Sequence, residues 1–247
     1  KLSETSSNNT AVGAESLAAN TTGTHNVAVG YDSLTLNTTG SHNVAVGSQA
    51  LDANTTGNYN YALGKDALGA NTTGSVNVAI ANALTSNTTG ESNISIGSNS
   101  LGDNTTGSQN VAVGRQALGD NTTASNNTAI GYNALFYNTT GDQNTAVGAD
   151  ALKANTTAAN QTAIGFGALD ANTTGAANTA VGSGALGANT TANDNTAVGA
   201  GALQSNTTGT YNTAVGRMAL FDTTTSSNNT AVGLSLIHIS EPTRPPE

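Results

Sequence analysis

Residues 104–120 read NTTGSQNVAVGRQALGD, and variants of this 17-residue unit fill almost the whole chain. The opening Asn-Thr-Thr recurs every 17 residues, apart from one interval of 16 between Asn71 and Asn87. Counting degenerate copies at both ends, units start near residues 3, 20, 37, 54, 71, 87, 104, 121, 138, 155, 172, 189, 206 and 223. A fixed short period indicates a repeat architecture. We therefore treat residues 1–233 as a single repeat array.

The composition excludes several classes of protein. Of 247 residues, 9% are charged and 4% aromatic, so the large side chains of a globular core are missing. The net charge is −9 and the six basic residues are scattered, which argues against nucleic acid or an anionic membrane as partner. The absence of cysteine removes disulfides and thiolate metal sites. The sequence has no long apolar run that would predict membrane insertion.

The consensus unit is N-T-T-G-x-x-N-[TV]-A-[VI]-G-x-x-A-L-x-x, and its residues are numbered here as positions 1 to 17. A 17-residue period is too short for a pair of helices, and recurrent glycine opposes helix. The alternation in [TV]-A-[VI] predicts a short strand, x-A-L a second strand, and N-T-T-G a turn. The sequence thus predicts an all-β fold, a parallel β-solenoid (β-roll) of about fourteen 17-residue coils with two short strands per coil.

Stacking of the coils sets the expected direction of each side chain. We expect the aliphatic residue at position 10 and the leucine at position 15 to line the interior. Alanine at position 9 would then face outward, where its small size lets a neighbouring chain approach. Because this interior is thin, we expect self-association, either end to end in a fibre or laterally as a trimer.

Position 7 carries a side-chain amide in every copy and predicts an amide ladder, because stacked amides can hydrogen-bond at the spacing of the coils. The alternative is a simple preference of asparagine for the turn before the strand. The ladder residues are Asn9, Asn26, Asn43, Asn60, Asn77, Asn93, Asn110, Asn127, Asn144, Gln161, Asn178, Asn195, Asn212 and Asn229.

The Asn-Thr-Thr triplet also fits the acceptor pattern for N-glycosylation, on a turn expected to be exposed. The alternative is that these residues only satisfy the backbone of the turn. The paired threonines, for example Thr21 and Thr22, could instead carry O-linked sugars. The acceptor asparagines are Asn20, Asn37, Asn54, Asn71, Asn87, Asn104, Asn121, Asn138, Asn155, Asn172, Asn189 and Asn206.

The strand motif resembles the head repeats of trimeric autotransporter adhesins, as in Asn26-Val27-Ala28-Val29-Gly30, Asn110–Gly114 and Asn127–Gly131. The resemblance covers residues 3–233. It implies a left-handed parallel β-roll of three chains side by side, displayed on a bacterial surface and binding a host, matrix or other surface ligand. The coil here is longer than that family's usual one by the Asn-Thr-Thr-Gly turn. Tandem-repeat proteins of glycan-coated extracellular fibrils are also similar in composition.

No residue pattern predicts catalysis, a cofactor or a metal site. His25 and His42 share position 6 in adjacent coils, but Tyr59, Val76 and Gln109 hold that position elsewhere, so we interpret it as a variable solvent position. Adjacent threonines in a turn do not predict the flat threonine face of an ice-binding protein, because neighbouring strand residues face opposite ways.

Residues 234–247 break the repeat. Leu234 to Arg244 match the conceptual translation of a transposase-type sequencing adapter, which predicts a non-native tail and a gene obtained from environmental sequencing. The expected function is that of a non-enzymatic subunit of an extracellular fibre or filament, with possible covalent glycans. The alternatives are a trimeric adhesin head and, from another class, an ice- or carbohydrate-binding solenoid.

Overall fold

A computed structural model describes residues 7–235, which form fourteen three-residue strands joined by turns. The adapter-like tail lies almost wholly outside the described residues, as does the start of the first unit at Ser3. The strands are β1 (Thr10–Val12), β2 (Val27–Val29), β3 (Val44–Val46), β4 (Tyr61–Leu63), β5 (Val78–Ile80), β6 (Ile94–Ile96), β7 (Val111–Val113), β8 (Thr128–Ile130), β9 (Thr145–Val147), β10 (Thr162–Ile164), β11 (Thr179–Val181), β12 (Thr196–Val198), β13 (Thr213–Val215) and β14 (Thr230–Val232).

The strands form one parallel sheet in the order β1 to β14, so each strand pairs with its copy in the next coil. The register matches equivalent residues: Ala112 lies opposite Ala129, and Val113 opposite Ile130. The shortened coil keeps this register, with Val78 opposite Ile94. The predicted all-β parallel solenoid is confirmed, and like residues form continuous rows along it.

The core consists of alanine and leucine. From the coil that begins at Asn20 to the coil that begins at Asn206, each coil buries position 9, position 14 and the leucine of position 15, for example Ala112, Ala117 and Leu118, all at 0% exposure. The predicted interior position of the leucine row is therefore confirmed. The aliphatic residue at position 10 does not join it, because the buried Ala112 lies between Val111 and Val113, and alternate strand residues face opposite sides.

The predicted second strand is wrong. The x-A-L segment is a turn in which the leucine takes a left-handed backbone conformation, with φ 52° at Leu118 and 54° at Leu135. An extended strand would send Ala117 and Leu118 to opposite sides, whereas both are buried. The turn still bonds to the next coil, since the amide of Leu118 donates to the carbonyl of Ala134 at 3.0 Å.

Glycine at position 11 ends each strand at a crowded corner. At Gly148 φ is +133°, and an added Cβ would lie 2.5 Å from the carbonyl oxygen of Gly165 in the next coil. Only a residue without a side chain fits this close approach. The shortened coil has Ala81 here with φ 72°, and its corner has one residue fewer.

Candidate functional site: the outer face of the sheet

The outer face of the sheet is formed by the first and third residues of every strand, which correspond to positions 8 and 10. Strands β2 and β7 show the pattern, with a buried alanine between two partly exposed valines. The first residues are Thr10, Val27, Val44, Tyr61, Val78, Ile94, Val111, Thr128, Thr145, Thr162, Thr179, Thr196, Thr213 and Thr230. The third residues are Val12, Val29, Val46, Leu63, Ile80, Ile96, Val113, Ile130, Val147, Ile164, Val181, Val198, Val215 and Val232.

No residue of the outer face is charged. Exposure is substantial for its larger side chains, with Leu63 at 51% and Ile164 at 40%. Between β3 and β5 the face has an apolar hollow of about 320 Å³, which Tyr61 and Leu63 help to line. The outer face is therefore apolar between β3 and β5 and combines threonine with aliphatic residues from β8 to β14.

The predicted outward direction of the alanine at position 9 is wrong. Alanine at position 9 was expected to meet another chain, but Ala112 and Ala129 are fully buried. A signal in the sequence could have shown this. Position 9 is alanine in every coil but one, which has Ser95, whereas positions 8 and 10 vary among Thr, Val, Ile, Leu and Tyr. The narrow interior tolerates one size of side chain, while the outside tolerates several.

The predicted amide ladder at position 7 is confirmed. The Oδ1 of Asn93 accepts the backbone amide of Asn110 at 3.0 Å, and the Nδ2 of Asn110 donates to the carbonyl of Ala124 in the next coil at 2.9 Å. The longer Gln161 keeps both links, since its side-chain oxygen accepts the amide of Asn178 at 3.1 Å and its nitrogen donates to the carbonyl of Gly175.

A second amide ladder, absent from the sequence analysis, runs along position 1. The Nδ2 of Asn121 donates to the Oδ1 of Asn104 at 2.8 Å and to the carbonyl of Ala124 at 3.1 Å. The two ladders therefore meet at one carbonyl per coil, because the Ala124 oxygen also accepts from Asn110.

This second ladder consists of the asparagines proposed as N-glycan acceptors. Their expected position on an exposed turn is wrong: eleven are fully buried, from Asn37 to Asn206, and Asn20 is 5% exposed. N-glycosylation modifies Nδ2, and in Asn121 both Nδ2 hydrogens point to acceptors. In the folded chain this nitrogen is therefore not accessible for modification.

The threonines of the turn lie nearer the surface. The hydroxyl of Thr21 donates to the carbonyl of Thr38 at 2.9 Å, so this side chain ties two coils together. Thr22 at position 3 is exposed, as are its equivalents Thr106 and Thr140. O-linked modification of this row stays a prediction.

The variable position 6 forms a short aromatic stack. The rings of His25 and His42 lie 4.8 Å apart with a 5° angle between their planes, and Tyr59 continues the stack at 4.9 Å. Within residues 7–235 no group of three His, Cys, Asp or Glu could hold a metal ion. The same residues include no helix with the length and apolarity needed to cross a bilayer.

Within residues 7–235, three carboxyl groups on the turns have a raised pKa. Burial raises the pKa of Asp52 and of Asp170 above the ordinary value of 3.8, against the opposing effect of backbone N–H groups. Burial also raises the pKa of Asp120, with a further contribution from the charge of Asp103. These groups lie in separate coils, which is not the paired arrangement that acid–base catalysis uses.

Comparisons with protein-family models, with curated proteins and with solved structures found no match to this chain.

Proposed function

We propose that this chain is a non-enzymatic structural subunit that associates with further copies of itself through the outer face to build an extracellular fibre or filament. The observation that carries the proposal is the pair of uncharged rows along fourteen strands. At ~4.8 Å per coil the rows extend for about 65 Å. A second copy of the array repeats at the same spacing and can therefore cover the rows along their whole length.

The area of the outer face supports this association. A three-residue strand is about 10 Å long, so the face covers about 650 Å² per copy and two copies bury about 1,300 Å². This exceeds the ~1,000 Å² expected of a specific interface. Rows of identical side chains can also interdigitate, as they do between stacked sheets in other assemblies.

The test is association of the purified chain and its loss when charge enters the outer face. We expect Val113→Lys with Val147→Lys to abolish assembly measured by analytical ultracentrifugation and electron microscopy, because buried unpaired ammonium groups are costly. The circular dichroism spectrum should stay that of the parent, since both side chains point outward. A closed assembly with the mass of three chains would favour the adhesin-head alternative. Open-ended fibres would favour the proposed role as a fibre subunit.

Thr106→Lys with Thr140→Lys is the matched control, because it adds the same charge to the same two coils on the exposed turn. This control should assemble like the parent. A parent chain that stays monomeric at about 100 μM, a concentration at which a Kd near 1 μM saturates, would contradict the proposal, as would equal assembly of both lysine pairs.

The glycans that belong to this proposal are O-linked ones, on the exposed threonine row that includes Thr22. Intact mass of the protein from its native source tests this point. Added hexose-type mass on peptides that contain position 3 would support O-glycosylation. The mass of the unmodified chain would contradict O-glycosylation, but it would leave the proposed association unaffected.

Ice binding is a second candidate function, favoured by the outer face. From β8 to β14 every strand begins with an outward threonine and ends with an outward aliphatic residue. These residues make a regular array on the outer face, whereas the sequence had directed attention to the threonines of the turn. A thermal-hysteresis measurement decides it: activity that is lost in Thr162→Lys supports ice binding, and its absence in the parent chain excludes it.

A further inference from the structure

A groove of about 630 Å³ crosses the turns of the coils that begin at Asn155, Asn172 and Asn189. An adjoining hollow of about 370 Å³ shares Ser183 and Gln204 with it and continues to the coil of Met218. Together they span four coils, or ~14 Å along the solenoid. The groove includes no residue of the outer face.

The groove exists because side chains are missing at one position of the coil. Gly167, Gly184 and Gly201 occupy position 13 in three successive coils, where other coils have an acid, an amide or methionine. An added Cβ at Gly184 would meet nothing closer than the Gln204 amide carbon at 3.7 Å. Gly187, at position 16 of the same coil, widens the gap between Asp170 and Gln204.

The walls of the groove combine one aromatic ring with polar groups. Phe166 is 65% exposed, so most of its ring is open to solvent. Asp170 supplies carboxylate acceptors, and Gln204 supplies both donors and an acceptor. Within the described residues, the Gln204 amide and the hydroxyls of Ser183 and Ser205 make no hydrogen bond with the protein, so they are available to a ligand.

This chemistry selects among classes of ligand. In the groove itself the one charged group is Asp170, which together with the net charge of −9 disfavours an anionic ligand, while Arg217 lines only the adjoining hollow. An extended peptide would need unpaired backbone groups, but here the Ala188 amide donates to the Gln204 carbonyl of the next coil and the Gly184 carbonyl accepts from the Gly187 amide. A neutral carbohydrate ring fits better, because its hydroxyls pair with carboxylate, amide and serine groups while its apolar C–H face packs on an aromatic ring.

We propose that this groove binds a neutral carbohydrate. Phe166 is the platform for the ring, Asp170 and Gln204 bind its hydroxyls, and the glycines of position 13 provide the space. The site would give a fibre subunit a means of attachment to a polysaccharide surface, but it does not require assembly and can be tested on the monomeric lysine variant.

The test is calorimetric titration with neutral hexasaccharides of glucose, mannose and N-acetylglucosamine. We expect at least one to bind with a Kd in the range of about 0.01–1 mM. Gly184→Asn should weaken that binding at least tenfold by filling the groove. The fold should survive, because Asn133 and Asn99 adopt φ 54° and 58° at the same position in other coils. Phe166→Ala should weaken binding by a similar factor.

Gln116→Asn is the matched control, since it places asparagine at position 13 outside the groove. Its Kd should equal that of the parent chain. Binding of none of the hexasaccharides at ~10 mM would overturn the proposal. Undiminished affinity in Gly184→Asn, with an unchanged circular dichroism spectrum, would overturn it as well.

Discussion

Asparagine at positions 1 and 7 does work that the backbone cannot do alone. Turn residues leave carbonyl and amide groups that no strand pairs, and a buried unpaired group costs about 1–3 kcal/mol. The short amide side chain supplies a donor and an acceptor at each coil, and repetition passes the pairing along the solenoid. The amide ladder at position 7 was predicted from the sequence. At position 1 the same residues also match a glycosylation motif, and only burial separates the two interpretations.

One ladder ends on an unsatisfied atom. The Oδ1 of Asn206 is buried without a hydrogen-bond partner in the described part of the chain, because Thr223 stands where the next asparagine would donate. We expect Thr223→Asn to extend the ladder and to raise the free energy of unfolding by about 1 kcal/mol. Chemical denaturation measures this change. Thr225→Asn, two residues along the same exposed turn, is the control, and an equal gain there would show that the ladder is not the cause.

The raised pKa of Asp52 has a consequence for stability. Since the folded state binds the proton more tightly than the unfolded state, the contribution of Asp52 to stability is greatest below pH 3.8 and is lost as the pH rises through the folded pKa. We expect Asp52→Asn to raise Tm at pH 7 by on the order of 1–2 °C, a small effect because the group is partly solvated. Below pH 3.8 the gain should vanish.

Asp194→Asn removes the same charge from an exposed turn and serves as the control for net charge. It should change Tm less than Asp52→Asn does. A gain for Asp52→Asn that persists at pH 3 would be inconsistent with a buried carboxylate as its cause.

At the scale of the element, the strand could be predicted from the sequence, but the face of the strand that is buried could not. Alternation within [TV]-A-[VI] places positions 8 and 10 on one side and position 9 on the other, but alternation alone does not say which side is inside. Hydrophobicity favoured valine for the interior. The coil is too narrow for that, because Leu118 and its copies already fill the space beside Ala112. The left-handed leucine was also beyond prediction, since leucine rarely adopts positive φ and does so here for complete burial.

A matched pair of substitutions tests which side of the strand is inside. Ala146→Val adds two methyl groups to the filled interior and should destabilise the fold by about 1–3 kcal/mol. Thr145→Val, one residue earlier on the outer face, should be close to neutral because Val111 occupies the same position. Both are measured by urea denaturation. The reverse order of stabilities would mean that the faces are exchanged.

At the scale of the whole molecule, the repeat determines the architecture because each coil contacts its neighbours through the same rows. The fourteen copies serve as an alignment within one chain: the nearly invariant positions 7, 9 and 15 face inward, and the variable positions 6, 8, 10 and 12 face outward. Function is less predictable from the repeat, since both the outer face and the groove depend on what varies between coils. The groove in particular depends on three glycines at position 13, which the consensus does not show because other coils have different residues there.

The central claim is that successive coils stack in register along one axis, and distances between spin labels measure this directly. The chain has no cysteine, so pairs of cysteines can be introduced at outward position 10 and labelled for pulsed electron resonance in dilute samples. At ~4.8 Å per coil we predict separations of about 19 Å for Val113 with Val181, about 29 Å for Val113 with Val215, and about 48 Å for Val46 with Val215. Distances that do not increase in proportion to the number of coils between the labels would contradict the account.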